Sequence, residues 1–271
     1  LPVSSRELLP QLDSISAWAR SNKLTDVILC GMGGSSLAPE VIAKAYQKDL
    51  TVLDTTDPEQ IAQVLNTDLS SSVIIISSKS GSTIETLSQK LLFEKNLRAA
   101  NLEPKNHLII ITDPNSPLDI AAKESGYRVM NADPMVGGRF SALSAFGLLP
   151  AALLGIDVSV LLDDADRASK TFSQPESAAI KLATILSEET SQCFALTDSG
   201  SNVPGISDWI EQLVAESTGK DAKGRLPVVI EGSSTPLPTN LPTISFAQDS
   251  SDLNVLGTLG EQFILWEWVT A

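Results

Sequence analysis

The residues best suited to chemistry stand in one stretch, Ser77-Ser78-Lys79-Ser80-Gly81-Ser82-Thr83. Hydroxyls and an ammonium group surround a glycine that lets backbone come close, a combination that suits a phosphate monoester. The apolar run Val73-Ile74-Ile75-Ile76 before it reads as a buried strand, and Ile84–Leu92 after it has helical periodicity. In an open parallel sheet such a strand-to-helix turn lies at the carboxyl edge, where ligands bind. The following helix aims its unpaired N–H groups and positive dipole end into the same space. The competing reading is a Ser-rich loop in which Ser82 or Thr83 only caps the helix.

A second stretch, Gln212-Leu213-Val214-Ala215-Glu216-Ser217-Thr218-Gly219-Lys220, places Gln212 and Glu216 four apart, on one helix face ended by Gly219. A glutamate at a buried helix end has its pKa raised by desolvation and suits a general base. A solvated glutamate in a last turn has the same spacing. Gly137-Gly138-Arg139 sets a guanidinium after a flexible turn, with a charge-free helix behind it. Arg offers a fixed fork of donors to an oxyanion, although a surface ion pair uses the same residue. Gly31-Met32-Gly33-Gly34-Ser35-Ser36 also follows a strand and opens a helix. It departs from a dinucleotide fingerprint at Ser36, where glycine is needed, although Asp54 follows at a suitable distance. A tight turn aiming a serine at a small polar ligand fits better. His107, the only histidine, begins a strand at the edge away from ligands and reads as structural, which argues against a Ser-His-Asp triad.

The elements that must position these residues alternate. Strands are predicted at 26–30, 51–54, 73–76, 107–111 and 127–130, with helices at 1–22, 38–46, 58–65, 84–92 and 118–124. This rhythm predicts an α/β fold with a doubly wound parallel sheet. A buried apolar helix is expected over Ala142–Leu154 and a domain boundary near residue 157, giving domains 1–156 and 157–271. The second half repeats the rhythm loosely, with helices at 178–188 and 206–215, strands at 193–197, 227–230 and 243–246, and a Pro-rich loop at 232–238. Trp266 and Trp268 flank Glu267 in an amphipathic run and are expected to pack.

At 271 residues and 42% apolar composition the chain can bury real cores. Thirty-three acidic residues against 19 basic ones give a net charge of −14, which disfavours nucleic acid or an anionic membrane as partner. Cys30 and Cys193 form neither a disulfide framework nor a metal pattern, and they fit a reducing cytoplasm. No apolar run is long enough to span a membrane.

Four stretches together, GMGGSSLAPE (31–40), SSKSGSTIET (77–86), VGGRFSALSAFGLLPAAL (136–153) and QLVAESTGKDAKG (212–224), resemble the sugar isomerase (SIS-type) family, on its glucose-6-phosphate isomerase branch. They occur in the family's order. The wording of 137–158 and of LGEQFILWEWVTA (259–271) is most similar to the isomerase portion of bifunctional transaldolase–phosphoglucose isomerases. The resemblance implies two α/β/α sandwich domains, with the active site between them. It implies a cofactor-free, metal-free isomerase of glycolysis and gluconeogenesis that acts on a hexose 6-phosphate through a cis-enediol. It further implies a homodimer and a transaldolase fusion partner. By the match, Ser78, Lys79, Ser80 and Thr83, joined by Thr86, cradle the phosphate. Gly34 and Ser35 line the sugar, Gly138 and Arg139 form the motif whose arginine stabilises the enediolate, Gln212 contacts the sugar, and Glu216 moves the proton between C1 and C2. A non-catalytic sugar-phosphate module would keep the 78–86 loop without needing a base at 216, and mannose 6-phosphate is an alternative substrate.

Two departures from the family pattern stand out. Its ring-opening histidine, contributed across the dimer, has no match here, and its C-terminal lysine helix would begin beyond Ala271. The second domain is therefore expected to be shortened at its C-terminus, with Lys220 as a candidate substitute.

Overall fold

Val73–Ile76 and Leu108–Ile111 are continuous apolar runs, and in the computed structural model both are buried on both faces, as the middle strands of a helix-covered parallel sheet must be. The structure describes residues 1–188, 192–220, 224–232, 235–236 and 238–271. The chain divides into two compact units, one of Leu1 and Val3–Val158, the other of Pro2 and Ser159–Ala271.

In the first unit a 3-10 turn leads into α1 (Leu9–Ser21). There follow β1 (Asp26–Gly31), α2 (Leu37–Ala45), β2 (Thr51–Leu53), α3 (Pro58–Leu65), β3 (Ser72–Ser77), α4 (Ile84–Ala99), β4 (Leu108–Thr112), α5 (Pro117–Glu124), β5 (Arg128–Asn131) and α6 (Ala145–Leu153). All five strands run parallel in the order β2-β1-β3-β4-β5. The direction in which the chain winds across the sheet therefore reverses between β1 and β3, which pair from Asp26↔Ser72 to Gly31↔Ser77. A reversal of this kind opens a crevice at the carboxyl ends of the two strands. One core cluster joins Ile28, Ile74, Ile76, Phe93, Leu97 and Ile110.

Local chemistry fixes the helix starts. Asp57 accepts from Glu59 N–H at 2.8 Å and Gln60 N–H at 3.0 Å, with Pro58 in the first turn of α3. Ser116 accepts from Asp119 N–H at 3.0 Å ahead of α5. α6 begins at Ala145 rather than Ala142, because Ser144 is its cap and accepts from Phe146 N–H at 3.3 Å.

In the second unit α7 (Val158–Ser169) and α8 (Ala178–Glu188) precede β6 (Cys193–Thr197), α9 (Ile206–Thr218), β7 (Leu226–Val229), β8 (Thr243–Ser245), β9 (Leu253–Asn254) and α10 (Leu259–Thr270). These strands are parallel in the order β7-β6-β8-β9. Part of the 232–238 loop (Ser233, Ser234 and Leu237) lies outside the described residues. α10 opens with a capping box, in which Thr258 N–H donates to Glu261 Oε2 at 3.0 Å and Glu261 N–H returns to Thr258 Oγ1 at 3.4 Å. Its expected amphipathic character is not observed. Residues Phe263–Glu267 are all buried and only Trp268 is half exposed, because α8 and α9 both pack against it. Trp209 of α9 meets Phe263 edge to face at 4.9 Å.

Candidate active-site elements

The crevice between β1 and β3 collects three of the four motifs. Gly31 ends β1, and a β-carbon there would stand 3.2 Å from the β-carbons of both Ser35 and Ser77. The Ser77 hydroxyl donates to the Ser35 carbonyl at 3.5 Å. Gly34 presses on the 138–140 turn: a β-carbon on it would lie 2.7 Å from the Gly138 carbonyl oxygen and 3.1 Å from Arg139 N. Glycine at 34 therefore allows the turn after β1 to touch the backbone that carries the arginine. Arg139 itself is half-buried. Behind it Ser141 Oγ donates to the Gly138 carbonyl at 2.6 Å and Ser144 Oγ to the Ser141 carbonyl at 2.8 Å, chaining the turn to the start of α6.

The turn after β3 is built from its own hydroxyls. Ser78 Oγ donates to Thr83 Oγ1 at 3.0 Å, and Ser82 donates to Ser80 Oγ through both its N–H (3.2 Å) and its hydroxyl (3.0 Å). Gly81 takes a φ of +67°, in the left-handed region. The capping alternative is not realised: Thr83 occupies the N-cap position of α4, yet no side chain caps the helix. Orphan N–H groups of a 16-residue helix thus face the turn. Thr86 lies inside the first turn of α4, fully buried, with no hydrogen-bond partner for its hydroxyl among the described residues. Lys79 is not a bare cation. Its Nζ is 2.6 Å from Asp113 Oδ2 and 3.3 Å from the Pro134 carbonyl oxygen. Sequence reasoning missed Asp113, although a carboxylate just past an apolar strand is itself a signal for the carboxyl edge.

His107 is structural, as expected from its position. It is buried at the amino end of β4, and its Nδ1 is 2.9 Å from the Ser72 carbonyl oxygen. A cavity of about 640 Å³ opens at this amino edge, lined by Asp26, Lys48, Asp49, Gln63 and Thr67 among others. None of the predicted site residues lines it.

The fourth motif sits differently in its own unit. Asp198, just after β6, accepts from Gly205 and Ser207 N–H and so holds the start of α9 at the carboxyl edge of the second sheet. α9 then runs back, and its last turn reaches the start of β7, where Thr218 Oγ1 accepts from Arg225 N–H at 3.0 Å. Glu216 is therefore at the amino side of that sheet, and it is exposed rather than buried at the helix end. Gln212 donates from Nε2 to Glu216 Oε1 at 2.9 Å, so the predicted pair does share a face. Gly224 comes back against the end of α9, and a β-carbon on it would lie 2.6 Å from Gly219 Cα. Asp221–Lys223, part of the motif, lie outside the described residues.

No helix is long and apolar enough to cross a membrane, and no group of candidate ligands could hold a metal ion, among the described residues.

A family model described as phosphoglucose isomerase matches residues 6–226. The glucose-6-phosphate isomerase of Nostoc punctiforme is 34% identical over 255 residues, covering 81% of this chain and 47% of the relative. That of Thermus thermophilus is 36% identical over 210 residues, covering 74% and 51%. The chain thus spans about half the length of the curated relatives it matches. Among solved structures, a hypothetical protein from Thermus thermophilus superposes with a TM-score of 0.78 at 30% identity, over 88% of this chain and 63% of that one. A glucose-6-phosphate isomerase from Chlamydia trachomatis gives 0.75 at 21% identity, over 89% and 53%, a likeness of fold. On its sequence motifs, its parallel sheets and a family match that runs through all four motif regions, the chain belongs to the phosphoglucose isomerase family.

Proposed function

We propose that this chain carries the aldose–ketose isomerisation of D-glucose 6-phosphate and D-fructose 6-phosphate. The observation that carries the reading is the uncapped start of α4, set among Ser78, Ser80 and Thr83 at the point where the first sheet reverses. Orphan N–H groups, a helix dipole and several hydroxyls there fit a phosphate dianion. Gly34 and Ser35 border the same crevice and are assigned to the sugar, with Gly138 shaping the turn that presents Arg139.

The chemistry divides among few groups. Glu216 takes a proton from the carbon next to the carbonyl and returns it to the former carbonyl carbon, while the hydroxyl proton passes from O2 to O1, through a cis-enediol. Gln212, hydrogen-bonded to that carboxylate, fixes its rotamer and contacts the sugar. Arg139 stabilises the charge that grows on the carbonyl oxygen. Phosphate binding, remote from the reacting carbons, holds them in place. The same reading carries a cytoplasmic location, which Cys30 and Cys193 fit by forming no disulfide framework, a homodimer, which the family resemblance implies, and fusion to a transaldolase domain, supported by the resemblance of residues 137–158 and 259–271.

The test is isomerisation of glucose 6-phosphate by the full-length protein and its Ser80→Ala/Thr83→Ala variant. A KM raised about tenfold or more by the double substitution, with the fold retained, supports the reading. An unchanged KM contradicts the anchor, and absent turnover with mannose 6-phosphate as the better substrate contradicts the substrate.

A further inference from the structure

The turn after β3 is tied down from one side. Lys79 reaches Asp113, which follows β4, and the carbonyl of Pro134, which follows β5. The backbone repeats the link. Ser78 N–H donates to the Ile111 carbonyl at 3.0 Å, Asp113 N–H to the Lys79 carbonyl at 3.1 Å, and the Thr112 hydroxyl to that same carbonyl at 3.3 Å. Gly81 completes the contact, since a β-carbon on it would lie 2.6 Å from Ser116 Oγ at the start of α5. Both members of the ion pair are largely covered, with side chains 24% and 20% exposed. The second carboxylate oxygen, Asp113 Oδ1, is buried with no hydrogen-bond partner among the described residues, so the charge on Asp113 depends on Lys79 for compensation.

This arrangement changes what the lysine can do. A dianion in the turn meets amides and hydroxyls first, because two of the three ammonium donors are already committed, to Asp113 and to the Pro134 carbonyl. For Lys79 to serve as the anion's full counter-ion it would have to leave the 2.6 Å pair and strand a largely covered carboxylate beside a second negative charge, whereas through its third N–H it can only share with the anion a charge that already compensates Asp113. The pair as it stands is an internal strap across three strand ends.

We propose that Asp113 is a positioning residue for the anion-binding turn. Through Lys79 it ties the turn to the ends of β4 and β5, and Lys79 acts on the ligand by shaping the turn rather than by pairing with the anion. The role in catalysis rests on the reading of this turn as a sugar-phosphate anchor, whereas the strap itself does not.

The experiment compares Lys79→Met, Asp113→Asn, Asp113→Glu and the Lys79→Met/Asp113→Asn double variant in the full-length protein. Glucose 6-phosphate affinity is measured by calorimetry, KM and kcat by turnover, and the exchange of the 78–83 amides with solvent by mass spectrometry. A strap predicts that each neutralising single variant weakens affinity about tenfold, that the loss falls on KM more than on kcat, and that the double variant is no worse than the poorer single. Asp113→Glu, which keeps the charge, recovers part of the loss. A counter-ion lysine predicts the opposite sign at one position: Asp113→Asn releases the ammonium and tightens binding, while Lys79→Met weakens it whatever stands at 113. That pattern overturns the proposal. If the wild type binds no hexose phosphate, the functional reading fails, and amide exchange still decides the strap. Faster exchange at 78–83 in both singles, without a further increase in the double, upholds it; unchanged exchange refutes it.

Discussion

Gly34 and Gly138 stand so close that a β-carbon on Gly34 would come within 2.7 Å of the Gly138 carbonyl oxygen. The turn after β1 and the turn carrying Arg139 are thus seated on each other's backbone. Gly34→Ala must push them apart, a strain of about 1–3 kcal/mol in a packed site. Gly137→Ala, whose β-carbon would find Phe140 at an ordinary 3.5 Å, should change stability by less than about 0.5 kcal/mol. Chemical denaturation of the two variants checks this. Equal stability losses would contradict the close seat.

Gly81 makes a second prediction of the same kind. Its φ of +67° and the 2.6 Å approach to Ser116 both oppose a side chain. Gly81→Ala should cost about 1 kcal/mol or more from backbone conformation alone, and it should weaken phosphate protection of the protein against heat. Thermal melts with and without inorganic phosphate read both effects. A variant that melts like the wild type and keeps its phosphate shift would count against the turn.

Acid should destabilise the first unit through two carboxylates. Burial pushes Glu94 and Asp119 up, but their partners win. Hydrogen bonds from Lys90 and Tyr127 and the charges of Lys90 and Arg98 hold Glu94 below its ordinary value, and Lys123, Asn131 and the Asn115 N–H do so for Asp119. A depressed folded pKa contributes stability that is complete above the unfolded value and is lost as pH falls through the folded one. For these groups the loss begins near pH 4.5 and 3.8 and continues below. Asp119→Asn and Glu94→Gln should each lower stability at pH 7 and flatten its fall between about pH 5 and pH 2. An unaltered slope in both variants would dismiss the assignment.

Glu267 has the opposite sign. It is buried in α10, with Oε1 unpartnered among the described residues, and burial pushes its pKa well up. The folded state then favours the protonated form, so stability declines as pH rises from the ordinary glutamate value toward the raised one. Glu267→Gln should raise the melting temperature by about 2–4 °C at pH 8 and leave it unchanged at pH 4. A variant less stable at pH 8 would mean that the carboxylate is compensated.

Much of the first unit can be read from residues alone. Strands such as Val73–Ile76 betray themselves because both faces are buried, and α3 and α5 announce their starts with Asp57-Pro58 and Ser116-Pro117. Three motif turns fall at one sheet edge for the same reason: each follows a strand of a parallel sheet. What sequence leaves open is long-range pairing. Lys79 finds Asp113 thirty-four residues away, and no local pattern connects them. Gly34 and Gly138 meet through backbone sterics that only the fold creates. The exposure of Glu216 is the solvated alternative that the spacing leaves open: Val214 is buried on its own side of α9, and 216 lies outside. The two-residue strand β9 carries too short a pattern to be seen.

Solvent deuterium exchange at C1 of fructose 6-phosphate reads whether Glu216 is the base. NMR follows the exchange with the full-length protein and with Glu216→Gln, which keeps the shape and the hydrogen-bonding face toward Gln212 but cannot take a proton. Exchange draws on the open-chain fraction of the sugar, so it needs no ring-opening group. With Glu216 as the base, deuterium enters C1 with the wild type, exchange is at least about a thousandfold slower with the variant, and phosphosugar affinity stays within about twofold in both. Comparable exchange in Glu216→Gln would remove Glu216 from that role.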